Sequence, residues 1–414
     1  MFKRLILSIF FINLSYAFFY MTPSEPIKYR IQSIDVLRGI TVLIMTLDHC
    51  RDYFHFHGPS PTNMATTTVM LFFTRWLTHF CAPVFVFLSG VSAYLAGTKR
   101  TKSELSTFLL KRGLWLILMD IVVITFIFTF NPFYNVVVLE VLSAIGGSMV
   151  ILSSLTRVPL KVIAIIGCVI FFGHDILDLL PLPQSGPANV LLKIFFTALA
   201  TIFPIGKGYF VWELYAIVPW TGVMLLGYVF GSLFQKGFDA QRRRKLLLVA
   251  GFSLVVLFVI LRSINKYGDP SHWETQRNFA HTLLSFLNTS KYPPSLLYLC
   301  MTLGPALILL SLVEHVQDKF TAFCAVYGNV PFFYFIVHFS LIRVIEVTLI
   351  FAAGFNLDKA KSPGSPFVFQ PAGFGYPLWV CYLIWLFVIA ALYFPCKWYG
   401  NYKRAHQRWW LSYL

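Results

Sequence analysis

The 414-residue chain is 57% hydrophobic and only 12% charged, and its formal net charge is +16. Soluble domains carry about 25% charged residues. Apolar runs of about 20 residues, long enough to cross a hydrocarbon core of about 30 Å, recur along the chain. This pattern excludes a soluble fold and predicts an all-α integral membrane protein with about ten transmembrane helices.

The positive charge is distributed as in cytoplasmic loops. Basic residues cluster between apolar runs, within segments 98–112, 242–245 and 397–408. Loops of this kind face the cytoplasm and its anionic lipids. No nucleic-acid recognition module accompanies them, so nucleic acid is not an expected partner. The charges predict that both ends of the helical body lie in the cytoplasm.

The N-terminal segment 1–27 resembles a signal sequence or anchor, because Lys3 and Arg4 precede an apolar run. If this run crossed the membrane, either that pair or Lys28 and Arg30 would lie outside, against the charge rule. We therefore interpret the segment as interfacial, or as the result of a start codon assigned too early.

The predicted spans alternate in direction along the chain. The first five cover residues 36–54, 68–96, 109–130, 136–156 and 160–180. A shorter apolar segment, 189–205, is predicted to be re-entrant or interfacial. The other five spans cover 209–234, 245–264, 295–313, 320–351 and 376–396. Residues 28–396 thus form one transmembrane domain, followed by a basic, aromatic cytoplasmic tail, 397–414.

The first predicted helix carries the clearest candidate site, because ionisable residues inside spans are costly and usually functional. At 100° per residue, Asp35, Arg38, His49 and Asp52 fall on one broad face. Arg38 and His49 lie about 16 Å apart along the axis. A charged group near the cytoplasm therefore shares a face with a titratable group farther across the bilayer. The alternative, that these residues only mark the two helix ends, stays open.

Two other predicted helices carry polar pairs one turn apart. Arg75 and His79 share a face of the second span, where His79 either orients a substrate or is a satisfied core histidine. Tyr334 and His338 share a face of the ninth span, where they either line the same cavity or pack helices. The pattern does not decide between these roles.

The remaining polar groups give weaker signals. The isolated acids Asp120 and Glu140 are expected to line a cavity. His55 and His57 are zinc-type side chains without a set of partners, so no metal site is expected. The seven cysteines form no CxxC pair and are expected to be small buried side chains.

Three stretches of the sequence form a combined signature. They read SIDVLRG and LDHCRD within residues 33–52, WLTHFCAPVFVFLSG at 76–90, and VPWTGVMLLGY at 218–228. As a set they resemble the transmembrane acyltransferases related to heparan-alpha-glucosaminide N-acetyltransferase, in their bacterial branch. Residues 328–338 fit the same branch.

The resemblance implies transfer of an acetyl group from cytoplasmic acetyl-CoA to an amine or hydroxyl of an extracytoplasmic glycan. In the wider superfamily, an Asp-x-Leu-Arg motif precedes a catalytic histidine at the spacing of Asp35, Arg38 and His49. The lysosomal enzyme has its catalytic histidine in a longer loop, which makes His57 a rival to His49.

The resulting assignments combine this resemblance with the helix geometry. The predicted donor-binding residues are Asp35, Arg38 and Arg75, and the candidates for catalysis are Asp48, His49, His57 and His79. Arginine binds phosphate through charge-assisted hydrogen bonds. A histidine would act as base or as acyl carrier, with Asp48 or Asp52 orienting the ring.

A second class of function fits the same residues. Buried histidines and aspartates also serve proton-coupled multi-pass transporters. Matching broken helices in two halves of the chain, which would favour a transporter, are not evident. For the acyltransferase, the expected partners are acetyl-CoA, a saccharide or glycan, the lipid bilayer and a second copy of the chain in a homo-oligomer. The expected location is a bacterial inner membrane.

Overall fold

The computed structural model describes residues 32–56, 58, 60–180, 183, 185–197, 201–356, 368–406, 408 and 411. The predictions for segment 1–27, for His57, and for Trp409 and Trp410 in the tail fall outside these residues. Helix makes up 72% and strand 5% of the structure, which confirms a helical fold class.

The secondary-structure elements follow one another in a simple order along the described chain. They are α1 Gln32–Phe54, α2 Val69–Thr78, α3 Cys81–Gly97, α4 Lys102–Met119, α5 Thr125–Thr129, β1 Val136–Leu139, α6 Val141–Leu155, α7 Leu160–Gly173, α8 Gly186–Leu192, β2 Thr201–Gly206, β3 Tyr209–Glu213, α9 Ile217–Gly231, α10 Ala240–Ile264, α11 Phe279–Leu287, α12 Leu296–Leu312, α13 Lys319–Gly328, α14 Pro331–Ala352 and α15 Leu378–Ala405. A π-helical turn, Asp120–Ile124, joins α4 to α5.

Eight helical segments within the described residues are long and apolar enough to cross a membrane. They are Val69–Gly97, Lys102–Thr129, Leu160–Leu177, Ile217–Phe234, Ala240–Ile264, Leu296–His315, Pro331–Ala352 and Leu378–Ala405. The protein is thus a multi-pass membrane protein. α1 has 23 residues but is rich in charge, and α6 has only 15 residues. The number of ten spans and the cytoplasmic termini stay predictions.

Side-chain contacts join the basic connections at one side of the helical body. They link Thr156 to Lys102, Tyr94 to Gln235, Arg243 to Glu314, and Arg38 to Gly328. The start of α1 lies at this side, and we call it the basic side. Another set of contacts joins connections at the opposite side, linking His174 to Pro294, Phe54 to Tyr376, and Asn288 to Thr62. His49 lies toward this second side.

A small sheet replaces the starts of two predicted spans. The predicted helix 136–156 begins with β1, and the predicted helix 209–234 begins with β3, with which β1 pairs in parallel. β2 pairs with β3 in antiparallel fashion. These two span predictions were wrong at their first residues. The run Val136–Leu139 has three consecutive β-branched valines, and such runs favour strands.

One further predicted span is confirmed and another is broken. The span predicted at 68–96 is one helical segment, Val69–Gly97, in which His79 and Phe80 form a turn with helical backbone angles between α2 and α3. The span predicted at 320–351 is interrupted before Pro331, which lacks a backbone N–H and disfavours helical backbone at the residue before it. α13 therefore ends at Gly328, and α14 begins as a separate helix at Pro331.

Close backbone contact fixes α1 against α13. A Cβ added to Gly39 would lie 1.9 Å from the carbonyl oxygen of Cys324, and one added to Gly328 would lie 1.8 Å from that of Asp35. Only glycine permits this approach. The contact holds the start of α1 beside the break between α13 and α14.

Candidate active site

Two cavities follow α1 through the helical body. The first, about 110 Å³ in volume, is lined by Arg38 and Arg112, and we call it the arginine cavity. The second, about 60 Å³, is lined by Asp48 and His49, and we call it the histidine cavity. Four apolar residues line both: Met45, Phe85, Val141 and Phe335. The two cavities therefore adjoin across an apolar boundary.

The arginine cavity lies near the basic side, where α1 begins. Arg38 donates to Asp35 Oδ1 at 3.1 Å, to the Gly328 carbonyl at 3.3 Å and to Ser92 Oγ at 2.9 Å. A guanidinium has five N–H donors in a fixed fork, and these contacts hold that fork at the cavity wall. The structure brings Asp35 and Arg38 together, as the sequence predicts, and aims Arg38 at the cavity.

The wall of the histidine cavity comes from separate parts of the chain. His49 lies on α1, and Glu140 and Tyr215 lie just ahead of α6 and α9. Lys291 comes from the connection between α11 and α12. Its ammonium lies 5.6 Å from the Tyr215 ring centroid and 4.9 Å from that of Tyr292. Among the described residues Lys291 forms no ion pair, so its charge is available to the cavity.

Asp48 is the centre of a buried charge cluster beside this cavity. Its carboxylate forms an ion pair with Arg51 at 2.7 Å and accepts hydrogen bonds from Arg75 at 2.6 Å and from Thr78 Oγ1 at 2.8 Å. Both carboxylate oxygens are thus occupied. The structure places Arg75 in this cluster, and it does not bring Arg75 together with the other predicted donor-binding residues, Asp35 and Arg38.

His49 contacts a second histidine. Its Nδ1 lies 2.8 Å from Nε2 of His338, whose Nδ1 lies 2.8 Å from the Tyr334 carbonyl oxygen. A carbonyl oxygen only accepts, so Nδ1 of His338 carries a proton. Nε2 of a neutral His338 then accepts, and Nδ1 of His49 donates to it. His49 Nε2 is left with a lone pair.

Packing fixes this pair of histidines, which we call the histidine dyad. His338 is fully buried and stacks on Tyr334 with ring centroids 5.0 Å apart. Tyr334 in turn shares a 2.7 Å hydrogen bond with Thr46 of α1. The Phe339 centroid lies 4.5 Å from that of His49. The expectation that an aspartate orients the His49 ring was wrong, because His338 makes that contact.

The other candidate histidines lie elsewhere. His79 is buried at the turn between α2 and α3 and does not line the histidine cavity. Its ring contacts that of Tyr298 edge to face, with centroids 5.5 Å apart. Its Nδ1 has no hydrogen-bond partner in the part of the chain described. His55 Nδ1 lies 3.0 Å from the Tyr376 carbonyl oxygen. His57 falls outside the described residues.

The sequence of residues 30–261 matches the family described as heparan-alpha-glucosaminide N-acetyltransferase, catalytic. The chain belongs to this family. The match covers more than half of the chain and runs from the start of α1 to near the end of α10. No curated protein matches the chain.

Membership of the heparan-alpha-glucosaminide N-acetyltransferase family supports a transferase, and a membrane acetyltransferase-type function. The matched residues include Arg38, Asp48 and His49. Lys291 and His338 lie beyond residue 261, although both belong to the site. Lys291 carries no signal in the sequence, and His338 is marked only by its spacing from Tyr334.

Proposed function

We propose that this protein transfers an acetyl group from acetyl-CoA, bound at the basic side, to an amine or hydroxyl of a glycan at the opposite side. The observation that carries the proposal is the pair of adjoining cavities along α1, one lined by two arginines and the other by the histidine dyad. The charge rule makes the basic side cytoplasmic. A bacterial inner membrane is the location that we propose.

The arginine cavity suits the donor. Arg38 and Arg112 offer charge-assisted hydrogen bonds to the phosphates of CoA. Apolar side chains complete the wall, among them Leu116, Ile145 and Phe332. Acetyl-CoA matches this cavity, because it has an anionic nucleotide for the arginines and an uncharged pantetheine arm for the apolar wall. Its thioester supplies the activated acetyl group.

His49 suits the role of general base. Its Nε2 lone pair accepts the proton of the acceptor amine or hydroxyl while the acceptor atom attacks the thioester carbonyl carbon. The carbon–sulfur bond then breaks, CoA leaves as thiolate, and His49 returns the proton to the sulfur. Lys291 supplies positive charge in the cavity where the carbonyl oxygen becomes negative.

His338 acts in this scheme as a positioning residue. By accepting from His49 Nδ1, it selects the tautomer whose Nε2 is unprotonated. The fixed stack of His338 on Tyr334 keeps that selection during turnover. We assign the lone pair to base catalysis, while formation of an acetyl-histidine would use the same nitrogen.

Product analysis tests the proposal. The protein in lipid nanodiscs is given labelled acetyl-CoA and extracted cell-envelope glycans, and the glycans are examined by mass spectrometry. We expect labelled acetyl on glycan with the wild type, little with His49→Ala, and wild-type levels with His272→Ala, an exposed control histidine. A folded protein that binds CoA and transfers nothing would contradict the proposal. Glycan uptake into proteoliposomes without acetylation would favour the transporter.

A further inference from the structure

A strip of side chains on α10 lies outside both cavities. Gln241, Arg244 and Lys245 form its polar end, and Leu248 and Val249 continue it, since positions three and four apart share a helix face. With His315, which follows α12, these residues line an open groove of about 610 Å³. The groove shares no lining residue with the arginine cavity.

The two cations of this strip are available to a ligand. Arg244 and Lys245 are exposed, and neither side chain forms a hydrogen bond or ion pair with the described residues. Their neighbour Arg243 differs. It is buried, pairs with Glu314, and donates to the Leu233 carbonyl at 3.1 Å. Arg243 therefore anchors the helix, while the next two residues face outward.

The strip continues into a surface that faces the bilayer. Val249, Phe252 and Val256 are 56%, 55% and 54% exposed, on a helix apolar enough to span the membrane. A ligand that matches the whole strip is anionic at one end and a hydrocarbon chain at the other. Charge and apolar surface thus occur in the order in which a phospholipid presents them.

We propose that this groove binds an anionic phospholipid of the surrounding bilayer. Arg244, Lys245 and His315 face the headgroup phosphate, and an acyl chain lies along the apolar part of α10. Basic side chains between membrane helices on the cytoplasmic side are suited to such headgroups. The site is separate from the acyl-transfer site and does not depend on the proposed activity.

Native mass spectrometry of the full chain tests the site. Protein released from nanodiscs with equal phosphatidylglycerol and phosphatidylcholine should retain phosphatidylglycerol preferentially. The double variant R244Q/K245Q should reduce this retention at least about tenfold, because two cations near an anionic surface are lost. Arg242→Gln, an exposed neighbour that does not line the groove, should retain it.

Two competition experiments distinguish the lipid from other sources of phosphate. Excess inorganic phosphate should not displace the lipid, because it lacks the chain that lies on α10. Excess CoA should not displace it either, since the donor cavity is separate. Equal retention of both lipids, equal loss in the Arg242→Gln control, or displacement by phosphate or CoA would overturn the proposal. A thermal melt of each variant confirms that the exposed substitutions leave the fold intact.

Discussion

The two ends of α1 treat charge in opposite ways. Near its start, Arg38 donates to Asp35 and to two neutral acceptors, and it lines the wider cavity. Near its end, Asp48 lies between Arg51 and Arg75, and His49 contacts a neutral ring. The first end thus lines its cavity with positive charge, whereas at the second end the charges are paired and His49 Nε2 keeps a lone pair. In the proposed function, one helix therefore separates donor binding from chemistry along its length.

Removing the lone pair should have the largest effect. We expect His49→Ala to slow acyl transfer by about 10²–10⁴-fold, since general-base help is lost, while CoA binding stays near normal. Turnover and CoA affinity, measured on the same preparation, check this. His57→Ala and His79→Ala are made in parallel. Near-normal turnover of His49→Ala together with an inactive His57→Ala would make the loop histidine the base.

Neutralising Asp48 should damage the fold more than the chemistry. Asp48→Ala leaves Arg51 and Arg75 buried without their shared carboxylate, a change that typically costs about 3–5 kcal/mol. Thermal unfolding in detergent measures it, with Asp239→Ala as an exposed control that loses only a helix cap. An unchanged melting temperature with lost turnover would instead place Asp48 among the catalytic residues.

At the other end, Arg38→Gln should weaken CoA binding without changing the transfer step. Loss of one charge-assisted contact costs about 1.5–3 kcal/mol. Calorimetry with CoA checks this, and Lys102→Gln, an exposed lysine at the start of α4, serves as control. Equal losses of CoA affinity in the two variants would mean that the charge of Arg38 acts only through the overall positive potential of the basic side.

The dyad predicts a smaller, graded effect. His338→Ala removes the acceptor for His49 Nδ1, and we expect kcat to fall about 10- to 100-fold, the range seen when a partner that orients a ligating histidine is lost. KM should change little. His338→Gln, whose amide oxygen can accept the same proton, should recover part of the loss. A purely packing role predicts no recovery by glutamine and an unchanged pH profile of kcat.

Orientation can be tested without loss of activity. Cysteines introduced as Ser103→Cys and Ala240→Cys should resist an impermeant thiol reagent applied to intact cells, and Thr275→Cys should react. A background without the native cysteines is required. Equal labelling of all three sites would remove the assignment of the basic side to the cytoplasm.

The sequence was sufficient for the features that repeat along the chain. Apolar runs located the helices, and basic loops grouped on one side. A fixed angle per residue placed Arg38 and His49 on one face of α1. The strands at Val136–Leu139 and Tyr209–Glu213 were missed because their apolar runs fit a helix as well as a buried strand.

The partners within the site could not be predicted in the same way. His338 meets His49 across 289 residues of sequence, and Lys291 reaches the cavity from a polar connection. Such contacts depend on how helices pack, and no local period encodes them. Arg75 shows the same limit. The helical period placed it on one face with His79, but it did not reveal that Asp48 would be its partner.

The apolar boundary between the cavities bears on the energetics of the cell. Met45, Phe85, Val141 and Phe335 offer no polar side chain to a column of water. In the proposed reaction, an acetyl group passes this boundary, whereas hydrated protons and sodium ions find no polar path through it. The proposed transfer would therefore modify an external glycan without dissipating the proton-motive force.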